Sequence, residues 1–201
     1  GWAPMSADPG LTQARSSHSA QGRLWLLGQG SGGQQQLLSM SSQGSTAAID
    51  LSVLPGAVVD FSLGASGTRA AMILRIDGTP RFGLASLAGG NQLTGWQEIH
   101  LMASQEAELA DAVSLDWTGE VSVAVIANAG SGTSVFVVNE DGSEVTDLGP
   151  LSVTPVQVTA LPRPGGDSVA VRTGDGVVLL YEQHSAWQQA RTPMAWISYP
   201  G

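Results

Sequence analysis

The chain has 201 residues, 26 of them glycine, no cysteine, and a formal net charge of −9. Without cysteine there are no disulfides, thiolate chemistry or cysteine-ligated zinc, and eight scattered Lys and Arg make no basic patch, so nucleic acid is excluded as a partner. A hydrophobic share of 42% beside 12% charged residues is globular, and no run reaches the about 18 apolar residues that span a bilayer.

From residue 11 onward, apolar and polar residues alternate with period two, and turn residues interrupt about every 8 to 15 positions, as in an all-β chain. The first unit has an inner strand at 11–14, a turn at Gln21-Gly22, a second strand at 23–27, and further strands at 34–40 and 47–54. The second runs from 58–63 through a turn at Ser66-Gly67 to 70–74, turns at Asp77-Gly78, and continues at 80–87 and 96–101. Ser104 as a cap, with Glu106 and Glu108 in a first turn, predicts a short helix over 104–110. The third unit takes 112–117, a turn at Thr118-Gly119, 121–126, 133–139, a turn at Asp141-Gly142, and 144–148. The fourth takes 156–161, a turn at Gly165-Gly166, 168–171, the turn Gly174-Asp175-Gly176, 176–181 and 187–190. The turn glycines Gly67, Gly119 and Gly166 recur at about 50 residues, the period of propeller blades. The predicted fold is therefore a β-propeller of four-stranded antiparallel blades near 9–55, 56–104, 111–150 and 154–196. It is one propeller domain or a piece of a larger one, and the opening Gly1-Trp2-Ala3-Pro4-Met5 is read as the edge of an excised fragment. A two-sheet β-sandwich is the alternative.

Candidate chemistry is sparse. Gly28-Gln29-Gly30-Ser31-Gly32-Gly33 matches a dinucleotide fingerprint letter by letter. That fingerprint needs a helix whose first amides meet a pyrophosphate, and the Ser/Gly/Gln-rich residues 31–45 have no helical apolar period. The segment is read as a hairpin loop, and no cofactor is expected. His18, His100 and His184 have no metal-ligand spacing, and no Ser sits in a G-x-S-x-G elbow, so no catalytic or metal residue is assigned. A triad assembled from distant residues is a matter of geometry and stays open. Asp60 and Asp116 sit at matching places in the alternation and could line a central channel, where a hard cation would need several oxygen ligands. Thr159 and Ala160 break that ring in the last unit, which favours structural hydrogen bonding. Of the six tryptophans, Trp25, Trp96, Trp117 and Trp187 fall in or beside strands, where core packing accounts for them better than glycan stacking. Trp96 and Trp187 stand at corresponding outer-strand starts. Binding residues are not assigned.

The segment Phe61-Ser62-Leu63-Gly64-Ala65-Ser66-Gly67-Thr68-Arg69-Ala70-Ala71-Met72-Ile73 resembles the S-x-S-x-D-G-x-R-x-A blade phrase of many bacterial propellers, with Ser66 where the phrase has Asp. Together with the ending Trp196-Ile197-Ser198-Tyr199-Pro200-Gly201, it is most similar to the C-terminal β-propeller of the LpqB family of actinobacterial lipoproteins. That resemblance implies a lipidated cysteine and a GerMN domain upstream, and an extracytoplasmic place on the outer face of the cytoplasmic membrane. It also implies a partner in the extracytoplasmic sensor domain of the kinase MtrB, whose two-component system it modulates, and no catalytic residues. The expected function is a non-catalytic protein-interaction domain. The alternatives are a metal-dependent propeller hydrolase or lyase using Asp60 and Asp116, and a glycan-binding propeller.

Overall fold

The structure, a computed structural model, describes residues 10–20, 22–64, 67–88, 92–101, 109–118, 122–129, 132–139, 141–163, 166–183, 187–189 and 194–195. A first sheet holds β1 (Leu11–Ala20), β2 (Arg23–Gly30), β3 (Gln35–Ser41) and β4 (Thr46–Ile49). A second holds β5 (Ala57–Leu63), β6 (Arg69–Ile76), β7 (Thr79–Ala88) and β8 (Gln92–Glu98). A third holds β9 (Leu109–Thr118), β10 (Ser122–Ala129), β11 (Gly132–Asn139) and β12 (Val145–Pro150). The last holds β13 (Pro155–Arg163), β14 (Gly166–Thr173), β15 (Val177–Gln183), β16 (Trp187–Gln189) and β17 (Met194–Ala195). Each sheet is a meander in chain order, and β16 and β17 share one edge of β15. The first strands β1, β5, β9 and β13 pack side by side in that order, so the sheets fan out from them. Four sheets in a fan replace the sandwich alternative.

The apolar runs of the middle strands follow from this arrangement, because a blade between two others is covered on both faces. Along β6, Met72 and Leu74 face the first sheet, while Ala71 and Ile73 face the third. In β11, Phe136 and Val138 join the second sheet and Val135 joins the fourth. All of these are fully buried, and each large one contributes about 1.5–3 kcal/mol of transfer free energy. A polar clamp reinforces the first junction. The Gln35 side-chain amide donates to the Val58 carbonyl, and its Oε1 accepts from the Val58 N–H at 2.8 Å, so one side chain satisfies both backbone groups across two sheets.

Turn chemistry sets the hairpins. Asp77 (φ 50°) and Gly78 (φ 84°) form the two-residue turn between β6 and β7, the left-handed pair that strand twist favours and that Asp-Gly tolerates. Several sequence expectations shift. Strand β4 stops at Ile49, leaving 50–56 as a linker. Strand β8 lies at Gln92–Glu98 rather than 96–101, because this outer strand is mostly exposed and carries little period-two signal. Trp96 therefore stands near the end of its strand and Trp187 at the start of its own, so the two do not correspond. Of the helix expected over 104–110, residues 104–108 lie outside the described residues, and Leu109 and Ala110 open β9, where tertiary pairing overrides local propensity.

Candidate interaction face

Because every sheet is a meander, the starts of the four inner strands share one face of the fan. The same face carries the linkers between sheets and the hairpins after β2, β6 and β14. We term it the upper face. The opposite, lower face carries hairpins such as those after β3 and β11, the latter with the turn at Asp141.

All four inner strands are bulged within their upper halves. Register slips leave Thr12 and Arg15 unmatched in β1, Val59 in β5, Ala110 and Val113 in β9, and Val156 in β13. A bulge puts two residues opposite one, bends the strand and re-aims the side chain it frees. Its effect is visible in exposure. Among the described residues the exposed large hydrophobics are Val53 (48%), Val59 (36%) and Val156 (37%), two of them bulge residues and the third in the linker before β5. All three lie on the upper face. Thr12 is exposed there too, its hydroxyl donating to the Gln29 carbonyl at 3.1 Å.

A cavity of about 150 Å³ opens on this face between the third and fourth sheets. Leu151 and Val153 of the linker, Val177 and Leu179 of β15, and Tyr181 form much of its wall, with Asp175 of the β14–β15 hairpin at the rim. The Thr173 hydroxyl, itself buried, donates to the Asp175 carboxylate and lies 2.8 Å from the Val177 carbonyl. That hydroxyl bond first, and the Val177 N–H second, hold the Asp175 carboxyl below its ordinary value, so it is ionised at neutral pH. Burial pushes the Tyr181 phenol up, which keeps it neutral. Asp50, also on this face, is held low by the Ser52 side chain and N–H.

Counted from the bulges at Val59 and Val113, Asp60 matches Ser114 and Asp116 matches Ser62, so the two carboxylates stand two residues apart in register. The bulges do not create this offset, since Asp60 is the third residue of the expected strand 58–63 and Asp116 the fifth of 112–117; the two are not level in a channel ring. Asp60 Oδ1 accepts from the Phe61 N–H at 2.9 Å. Among the described residues no three His, Asp or Glu come together to hold a metal ion. His18, near the lower end of β1, and exposed His100, after β8, lie at opposite faces; His184 is outside the described residues. The dinucleotide-like segment is the β2–β3 hairpin, with the Gly33 N–H bonded to the Gly30 carbonyl and no helix following. Its Gly28 serves packing: a Cβ there would stand 2.2 Å from the Gln13 carbonyl oxygen. Trp25 is 1% exposed in the first junction and Trp96 packs half-buried against it. Trp117 and Trp187 have backbones in β9 and β16 and side chains outside the described residues, as are Trp2 and Trp196.

Four-stranded meanders fanned about their first strands define a β-propeller domain. The chain belongs to the family of the lipoprotein LpqB β-propeller domain, whose sequence profile matches residues 1–197. A curated relative, lipoprotein LpqB of Cutibacterium acnes (strain DSM 16379 / KPA171202), is 27% identical over 138 residues, which are 66% of this chain and 23% of the relative. The chain thus matches about a quarter of that protein's length. Among solved structures, the nidogen/laminin complex superposes with a TM-score of 0.60 at 11% identity, covering 82% of this chain and 59% of the other. The β-propeller domain of the Trilobed protease from Pyrococcus furiosus, described as having an open velcro topology, gives a TM-score of 0.55 at 10% identity, covering 89% and 57%.

Proposed function

We propose that this chain is a non-catalytic protein-interaction propeller of a cell-envelope lipoprotein, held outside the cytoplasmic membrane by a lipidated segment beyond these residues. Its partner in this reading is the extracytoplasmic sensor domain of an MtrB-type histidine kinase, whose signalling it modulates. Family membership is the observation that carries the lipoprotein part. The upper face supports the interaction part, since bulges there turn aliphatic side chains toward solvent rather than toward a core. A propeller can equally serve an enzyme, so the non-catalytic role rests on the family and on the residues, not on the fold.

The test is capture of the purified kinase sensor domain by the full-length lipoprotein in detergent. Saturable binding supports the reading. Absence of binding to that domain, together with turnover of a substrate by the purified protein, would replace it with the enzymatic alternative.

A further inference from the structure

We propose that the upper face docks an extended polypeptide segment, placing an aliphatic side chain in the cavity between the third and fourth sheets and an adjacent Lys or Arg against Asp175. This rests on the interaction reading above and names its surface and the chemistry of its partner.

The cavity sets the anchor. Its volume is about 150 Å³, and Leu151, Val153, Val177 and Leu179 give it an aliphatic wall beside the polar Ser152, Asp175 and Gln189, which suits one aliphatic side chain with a polar neighbour. The rim sets the neighbour. The Asp175 carboxylate engages Thr173 and Val177 through Oδ1, and the chain as a whole carries −9, so a basic residue is favoured and an acidic one repelled. Asp50 and Asp77 lie exposed on the same face. So do Arg75, whose charged guanidinium donates to the Gly78 carbonyl at 2.9 Å, and Arg172 near the end of β14, so the preference for a basic neighbour is local to Asp175.

The spread of apolar groups sets the occupant's size. Val53 and Val59 lie by the first junction, and the cavity lies by the third, two sheet spacings away. At about 10 Å between packed sheets, and less toward the inner strands from which they fan, this is at most about 20 Å, the reach of up to roughly six extended residues at about 3.3 Å each. A single sugar cannot fill such a span. An extended peptide can, with alternate side chains turned to the face.

The probe is an array of random heptapeptides, read with the full-length lipoprotein and its variants. Peptides pairing Leu or Ile with a neighbouring Lys or Arg should be enriched. Capture should fall about tenfold or more in Asp175→Asn and, independently, in Val153→Ser, which takes an aliphatic group from the cavity wall at a half-buried linker residue and adds no charge. The lower-face variant Asp141→Asn should bind as the parent does. No enrichment, or enrichment unchanged in both upper-face variants, would overturn the proposal, as would occupation of this face by a second copy of the chain or by a glycan. If the kinase sensor domain binds the upper-face variants as well as the parent, the interaction reading stands and this assignment falls.

Discussion

The first and third junctions between sheets are built on the same strand plan and filled differently. Between the first and second sheets, Trp25, Phe61, Met72, Leu74 and Leu93 interlock, Trp96 covers them, and Gln35 ties the backbones together. Between the third and fourth, the described cluster consists of Val135, Val158, Val169 and Val171 with Tyr181. Leu148, Leu151 and Leu179 pack half-buried against it, and a cavity lies at its upper end. Aromatic, Leu and Met side chains pack the described first junction, whereas the buried residues described at the other are mostly valines, with leucines half-buried around them. Among the described residues the first junction is the more heavily packed; the other holds the cavity of the proposed docking site.

The largest effect should come from emptying the first junction. Phe61→Ala is expected to cost about 3–5 kcal/mol in chemical denaturation, against about 2 kcal/mol for Val158→Ala, its counterpart in β13. Equal losses would erase the contrast. Next comes Gln35→Ala, which leaves the Val58 N–H and carbonyl without their side-chain partner and should cost about 1–3 kcal/mol. Gly28→Ala should cost a similar amount, about 1–3 kcal/mol, because its Cβ must push the β1 backbone away and overpack the hairpin.

What could be read from the sequence follows the same physical divide. Burial on both faces writes long apolar runs, so residues 70–74 and 133–139 announced middle strands, and Asp-Gly and Gly-Asp-Gly announced their turns. Bulges leave no such mark. The unmatched residues are Thr, Arg and Ala besides three valines, a residue equally common in regular strands, and the extra residue exists only relative to the partner strand. The offset of Asp60 from Asp116, by contrast, was countable in the sequence, third in 58–63 against fifth in 112–117. The cavity, like the bulges, was hidden, since it depends on a linker, Leu151 and Val153, meeting a hairpin from the next sheet.

A small pH effect sharpens the view of the open junction. Asp175 has a folded pKa below its ordinary value of 3.8. Its contribution to stability is therefore present above that value and lost as pH falls through the lower folded one. The stability gap between the parent and Asp175→Asn, followed by thermal melting, should narrow on acidification below about pH 4 and stay flat from pH 5 to 8. A gap that grew on acidification would reverse the assigned sign.

The most direct measurement is to fill the open junction and read stability and binding together, using Val177→Phe in the cavity wall. Stability unchanged or higher, with peptide capture lost, is the expected result, because a cavity kept for a ligand can be packed without harm to the fold. Capture retained with the gap filled would contradict the claim that this junction is a binding site.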